Sequence, residues 1–199
     1  MFRPLSTLVR RVALAAALLA ALPVGAAAQL QLRLDSRKDM LEVQSFHLTM
    51  AIMKQLLEAQ EGIYTNIAAH PELVGKFEAI KAANDPNEQV TLDVLVRRFE
   101  RVPEMTEQIQ NAGLTPRMYL LATMAFLEAI NAADKLKDPT FNRRTLPPSV
   151  LANYYFMDAN MSQLGPMFVH VNELEAKMHA AVAEHSGKQA TPATPPDQN

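Results

Sequence analysis

The sequence has 199 residues and no cysteine, which excludes disulfides, thiolate zinc sites, iron–sulfur clusters and covalently attached c-type haem. Its 19 Lys and Arg face 21 Asp and Glu, and three of the arginines lie within residues 1–11, so the rest of the chain is acidic and a nucleic-acid partner is not expected. With six glycines, no tryptophan and many alanines, leucines and methionines, the composition favours helices over a β-sandwich.

Residues 1–28 predict a cleaved signal peptide. Early arginines precede an apolar stretch from Val12 to Leu22, which is shorter than the roughly 20 residues that a membrane-spanning helix needs. Three alanines at 26–28 then supply the small residues that precede a cleavage site, here before Gln29. We therefore expect a periplasmic or secreted protein that has no membrane span once the signal is removed.

The hydrophobic pattern downstream predicts a single all-α domain, a bundle of about six or seven helices over residues 39–185. The first helix is expected to begin at Asp39 and to run to about Ala69, because apolar side chains recur there every three or four residues. Pro71 ends it, since a residue that precedes proline disfavours the helical conformation. Three shorter helices are predicted to follow, with starts near Pro71, Gln89 and Pro103.

Local signals divide the second half of the chain. Gly113 is typical of a helix stop and Thr115 of a helix cap, and the fifth helix that follows is so apolar that we expect it at the centre of the bundle. The longest loop is predicted at 138–148. Ser149 is expected to cap a sixth helix that ends before Gly165-Pro166, after which a seventh helix runs to about His185 and residues 186–199 form a disordered tail.

The segment Gly113-Leu114-Thr115-Pro116-Arg117-Met118-Tyr119, with Arg-Val-Pro at 101–103 before it and the apolar helix after it, resembles an uncharacterised family. That family consists of small exported all-helical proteins of proteobacteria with a Gly-Leu-Thr-x-Arg-Glu-Tyr pattern, and the likeness covers about residues 70–165. Met118 stands where the family has Glu, which removes the acid of a capping box. The family has no established activity, so the resemblance implies only an exported helical fold. From its residues the motif predicts a helix stop, a cap and a new helix.

One group of residues predicts a binding surface. Phe141, Arg143 and Arg144 lie in the longest predicted loop, and Tyr154 and Tyr155 lie on the helix after it. Arginine and aromatic residues are enriched where proteins contact their partners. Our first hypothesis is an interaction module in the periplasm that contacts an unidentified protein or small ligand through these residues and carries out no chemistry of its own. The alternative for the loop is a phenylalanine tucked onto the bundle beside two solvated arginines.

A second hypothesis uses histidine and methionine as ligands for copper or b-type haem. His47 and Met50 are three residues apart and would share one face of the predicted first helix, and His170 and His179 lie on the predicted last helix. The competing explanation is that methionines at these positions fill the core. The first hypothesis requires no cofactor. No catalytic residue is predicted, because the chain has neither cysteine nor a Gly-x-Ser-x-Gly segment.

Overall fold

The computed structural model describes residues 34–83, 85 and 88–189, so the predicted signal peptide and residues 190–199 of the predicted tail lie outside the described residues. The described part is an all-α single-domain bundle without strands, as predicted, and none of its helices is long and apolar enough to cross a membrane. Its eight α-helices are α1 Arg37–Ser45, α2 Met50–Ala69, α3 Leu73–Ala82, α4 Leu92–Glu100, α5 Pro103–Asn111, α6 Pro116–Leu136, α7 Pro148–Ala159 and α8 Met161–Gln189, with a 3-10 turn at Arg143–Thr145.

Helix α6 lies at the centre of the bundle, which confirms the prediction made from its apolar sequence. It packs against α1, α2, α4, α5 and α7. Most of its residues from Tyr119 to Ile130 are buried, so nearly its whole circumference is in contact with protein. Phe126 stacks on Phe168 of α8 with ring centroids 5.5 Å apart, and the rings of Phe99 of α4 and Tyr119 form a T-shaped pair. Burial on all sides is typical of a core helix.

The prediction of one long first helix is wrong. Residues 46–49 are not helical, and Thr49 caps the separate helix α2 by accepting a hydrogen bond from the backbone N–H of Ile52. The break is stabilised from α7, where buried Asn153 accepts a hydrogen bond from the N–H of Leu48 at 2.9 Å and donates one to the carbonyl of Phe46 at 2.8 Å. One amide therefore satisfies two of the backbone groups that the break leaves without a helical partner.

Helix α1 begins at Arg37 and not at Asp39, where the sequence predicted its start. Ser36 is the cap, and its hydroxyl oxygen accepts a hydrogen bond from the N–H of Asp39. The buried carboxylate of Asp39 instead accepts a hydrogen bond from the N–H of Leu92 at 2.8 Å, at the start of α4. A carboxylate at a helix N-terminus satisfies a free donor and lies at the positive end of the helix dipole. Asp39 therefore joins α1 to α4.

The predicted boundaries of the last two helices are also wrong. Pro148 begins α7, and Ser149 donates its hydroxyl to the carbonyl of Gln44 instead of capping. The boundary between α7 and α8 lies at Asn160 and not at Gly165-Pro166. The Asn160 carbonyl accepts hydrogen bonds from the N–H groups of Gln163 and Leu164, and these bonds begin α8.

Pro166 is tolerated inside α8. The proline has no N–H to donate, so the carbonyl of Ser162, four residues earlier, lacks its usual helical hydrogen bond. Ser162 is exposed, so water can hydrate this carbonyl. The helix therefore continues to Gln189 and includes residues 186–189, which the sequence predicted to be part of the disordered tail.

The segment Gly113 to Tyr119 is a helix stop, a cap and a new helix, as predicted. Gly113 has a φ of 81°, and the hydroxyl oxygen of Thr115 accepts a hydrogen bond from the N–H of Met118. Arg117 forms two hydrogen bonds with Glu42 of α1 and one with Asp93 of α4, which raises the pKa of its guanidinium. Tyr119 is buried in the core. Each of these residues therefore has a structural role.

Two glycine substitutions are expected to change stability in opposite directions. Gly113→Ala should lower the free energy of unfolding by about 1–2 kcal/mol, because an L-residue is strained at positive φ and its Cβ would lie 2.7 Å from the Gln55 amide nitrogen. Gly75→Ala is the matched control, since nothing lies within 4 Å of the added Cβ in helix α3. Alanine there should raise the free energy of unfolding by up to about 1 kcal/mol. Urea unfolding measures both, and a neutral Gly113→Ala would contradict the assigned stop.

Candidate functional site

The loop after α6 is held by its own hydrogen bonds. One oxygen of the Asp138 carboxylate accepts the backbone N–H of Thr140 at 2.8 Å and its hydroxyl at 2.6 Å, and these bonds lower the pKa of Asp138. Asn142 caps the 3-10 turn by accepting the N–H of Arg144 through its side chain, while its carbonyl accepts the hydroxyl of Thr145. Successive turns of this kind give a loop a defined backbone conformation. The loop therefore presents the residues at its tip in fixed directions.

Arg143 and Arg144 are exposed on this 3-10 turn. Within the described residues neither guanidinium forms an ion pair or a hydrogen bond. Among the other arginines of the described part, Arg97 and Arg98 pair with Glu88 and Arg117 pairs with Glu42, whereas the guanidiniums of Arg37 and Arg101 also form no ion pair. Two adjacent guanidiniums on an ordered turn are thus available to an external anionic group.

Tyr154 and Tyr155 form a pair on α7 beside this turn. Their ring centroids are 5.2 Å apart and the rings are tilted by 53°. Tyr154 packs partly on the core, whereas the side chain of Tyr155 is 48% exposed. Burial raises the pKa of Tyr154. The neighbouring Asp158 and Tyr155 raise this pKa further, and the positive charge of Arg143 opposes the rise. Only Leu146 and Pro147 separate the turn from the start of α7, and the charge of Arg143 influences Tyr154, so the turn and the tyrosines lie in one region.

The structure gives a position to each of the five residues predicted to form a binding surface. Arg143 and Arg144 are neighbours on the turn, and the charge of Arg143 influences Tyr154. Tyr154 contacts Tyr155, and Phe141 lies half-buried at the start of the loop. Within the described residues, Phe141 is not one of the half-buried side chains that pack against the main core. We refer to these residues as the loop–α7 surface: Phe141, Arg143, Arg144, Tyr154 and Tyr155.

Asn153 connects this surface to the rest of the bundle, and sequence reasoning missed it. It lies one residue before Tyr154, and its amide holds the break between α1 and α2. Its neighbour on the same helix, Ser149, donates a hydrogen bond to the carbonyl of Gln44 at the end of α1. Helix α7 is thus anchored by side chain to backbone bonds on its inner face, and this fixes the direction in which Tyr155 points outward. An asparagine among apolar residues of a predicted helix was the only signal available.

A buried polar group at the centre of the bundle is not a candidate catalytic site. Tyr119 is fully buried, and burial raises its pKa far above the ordinary value, while the nearby polar side chains of Gln60 and Thr123 oppose the rise. Gln60 and Thr123 are themselves buried. A phenol held neutral without access to solvent cannot exchange protons with a substrate. These groups act as an internal polar contact between α2 and α6.

The predicted arrangement of His47 and Met50 is wrong. His47 lies in the non-helical segment before the Thr49 cap, so the two residues do not share a helical face, and Met50 packs against the core. The imidazole nitrogens of His170 and His179 lie 3.4 and 3.8 Å from carboxylate oxygens of Glu61 and Glu175.

No three His, Asp or Glu side chains of the described residues are grouped to hold a metal ion. The copper or haem hypothesis stays a prediction, which an absorbance spectrum and elemental analysis of the purified protein would test. A Soret band, or close to one copper or iron per chain, would support it.

The loop–α7 surface combines two unpaired cations, an exposed phenol and an ordered backbone. The choice of this surface as the candidate site rests on its geometry alone. No protein-family model matches the chain, and neither the curated proteins nor the solved structures show a significant similarity to the chain.

Proposed function

We propose that this chain is an exported helical binding protein that contacts a partner through the loop–α7 surface and performs no chemistry itself. The observation that supports the proposal most is the pair of unpaired guanidiniums on an ordered turn beside an exposed tyrosine. Tyrosine and arginine supply much of the binding energy at protein interfaces, because they offer large rigid area and directed hydrogen bonds. An ordered loop also loses little conformational entropy when it binds.

The ordering of the loop argues against a purely structural role for its arginines. A solvated arginine needs no defined backbone, yet Asp138 fixes the loop at Thr140 and Asn142 caps the 3-10 turn, each through its side chain. The chain is otherwise acidic after its predicted signal. An exposed positive charge at this position therefore favours contact with a negative group outside the protein. Both features fit a surface that is preorganised for an external anionic partner.

Site-specific photo-crosslinking in the exporting cell tests the proposal. A benzophenone amino acid at Tyr155 should give a discrete adduct, and the adduct should disappear when Arg143 and Arg144 are both changed to glutamine. The matched control is the same amino acid at exposed Glu72, just beyond the far end of α2, which is about 30 Å long. No adduct at Tyr155, or an equal yield at Glu72, would contradict the proposal.

The proposed compartment is the periplasm or the exterior of the cell, supported by the signal-peptide pattern of residues 1–28. The mass and N-terminal sequence of protein recovered from the periplasm or medium should correspond to a chain that begins at Gln29. A chain that keeps Met1 and stays in the cytoplasm would contradict this assignment.

A further inference from the structure

The two free guanidiniums are not arranged to hold one small anion. Consecutive residues of a 3-10 turn project about 120° apart, so Arg143 and Arg144 leave the turn in different directions. A single phosphate or carboxylate would be best held by donors that converge on it. Divergent guanidiniums on a fixed turn suit a longer partner that carries separate negative groups.

The aromatic half of the loop–α7 surface selects further among anionic partners. Tyr155 exposes 48% of its side chain beside the ring of Tyr154, and Phe141 is only half-buried. Desolvation of such rings is favourable only when an apolar group covers them. A free inorganic anion gains nothing from this contact, whereas a peptide can supply apolar side chains between its acidic ones.

Two carboxylates at the margins of the surface argue against the binding of this surface to a flat anionic membrane. Asp138 at the base of the loop and Asp158 on α7, near Tyr154, are both exposed. A bilayer of anionic lipid would bring its charges towards both carboxylates as well as towards the guanidiniums, and like charges repel. A narrow peptide can contact the arginines and leave the carboxylates in water.

We propose that the loop–α7 surface binds an acidic, partly apolar peptide segment of a partner protein, with carboxylates on Arg143 and Arg144 and an apolar side chain on Tyr155. The inference rests on the proposed function and names the chemistry of its partner. Charge complementarity carries it: unpaired guanidiniums face outward from a chain that is otherwise acidic.

Fluorescence anisotropy with the mature protein and a short labelled peptide of alternating glutamate and leucine provides the test. The peptide should bind, and a peptide with glutamine for glutamate should not. Changing Arg143 and Arg144 together to glutamine should weaken binding about 10-fold or more, and Tyr155→Ala about 5-fold. The control variant changes Lys54 and Lys177, two exposed lysines of α2 and α8, to glutamine and removes the same charge. It should alter the Kd by less than about 2-fold, because loss of net charge alone has a small effect in physiological salt.

Other outcomes would overturn the inference. Equal weakening by the lysine control would mean that only net charge attracts the peptide. Binding to phosphatidylglycerol vesicles, but not to the peptide, that is lost with the two arginines would assign the surface to lipid. Sedimentation showing a dimer that dissociates on the arginine substitutions would assign it to a second copy of the chain. If Tyr155 still gives its crosslinked adduct while the peptide does not bind, the proposed function stands and the acidic-peptide inference fails.

Discussion

Replacing Asn153 with leucine is expected to lower the free energy of unfolding by about 2–4 kcal/mol. Leucine has a similar volume, so the main loss is the pair of hydrogen bonds to Leu48 and Phe46 at the break between α1 and α2. Each buried backbone group left without a partner costs about 1–3 kcal/mol. Urea unfolding measures the difference. Asn131→Leu, at an exposed position near the C-terminal end of α6, is the control and should stay within about 0.5 kcal/mol.

An Asn153→Asp variant adds a test that depends on pH. One carboxylate oxygen could still accept the Leu48 N–H, but the other would face the Phe46 carbonyl in place of the amide that now donates to it. Burial and this repulsion should raise the pKa of the new carboxyl above its unfolded value of about 3.9. The protonated acid can donate to the carbonyl, so the stability of the variant is greatest below that unfolded pKa and is lost as the pH rises through the folded pKa.

The free energy of unfolding of the Asn153→Asp variant should therefore lie only slightly below that of the parent protein near pH 3.5, and further below it near pH 7. The comparison with the parent at each pH removes changes that both proteins share. Asn131→Asp should show a small deficit at both pH values, because its side chain is solvated. A variant that is as stable as the parent at pH 7 would show that the amide of Asn153 does not hold the break.

The break shows why a local reading of the sequence failed there. Val43, Phe46 and Met50 continue the spacing of an amphipathic helix, and no glycine or proline lies between them. The alternative conformation is stabilised by Asn153, more than 100 residues away in the chain, together with the Thr49 cap. Such a contact leaves no mark on local periodicity. The misplacement of His47 on a helical face follows from the same missed break.

Local chemistry was predictable where it determines the backbone by itself. Gly113, Thr115 and Pro116 fix a stop, a cap and a first turn through their own atoms, and the structure has each of them where the sequence predicted it. The residue types of the loop–α7 surface were also visible. The exposure of Tyr155 and the influence of Arg143 on Tyr154 were not, because they depend on how Asn153 and Ser149 position α7.

Phe168→Ala is expected to lower the free energy of unfolding by about 3–5 kcal/mol, the usual cost of removing a fully buried phenylalanine. Phe168 is 0% exposed and stacks on Phe126, so it joins α8 to the central helix α6. The adjacent residue provides a close control, because Val169 is 43% exposed. Val169→Ala should therefore cost less than about 1 kcal/mol.

This pair also tests the helical conformation of α8 just after Pro166. A helix through residues 166–169 fixes the side chain of Phe168 inward and that of Val169 outward. An irregular chain there would allow the two residues to share the apolar contact, and the two substitutions would then cost similar amounts. A large difference measured by urea unfolding, with equal m-values for the two variants, would support the helix. Similar losses would contradict it.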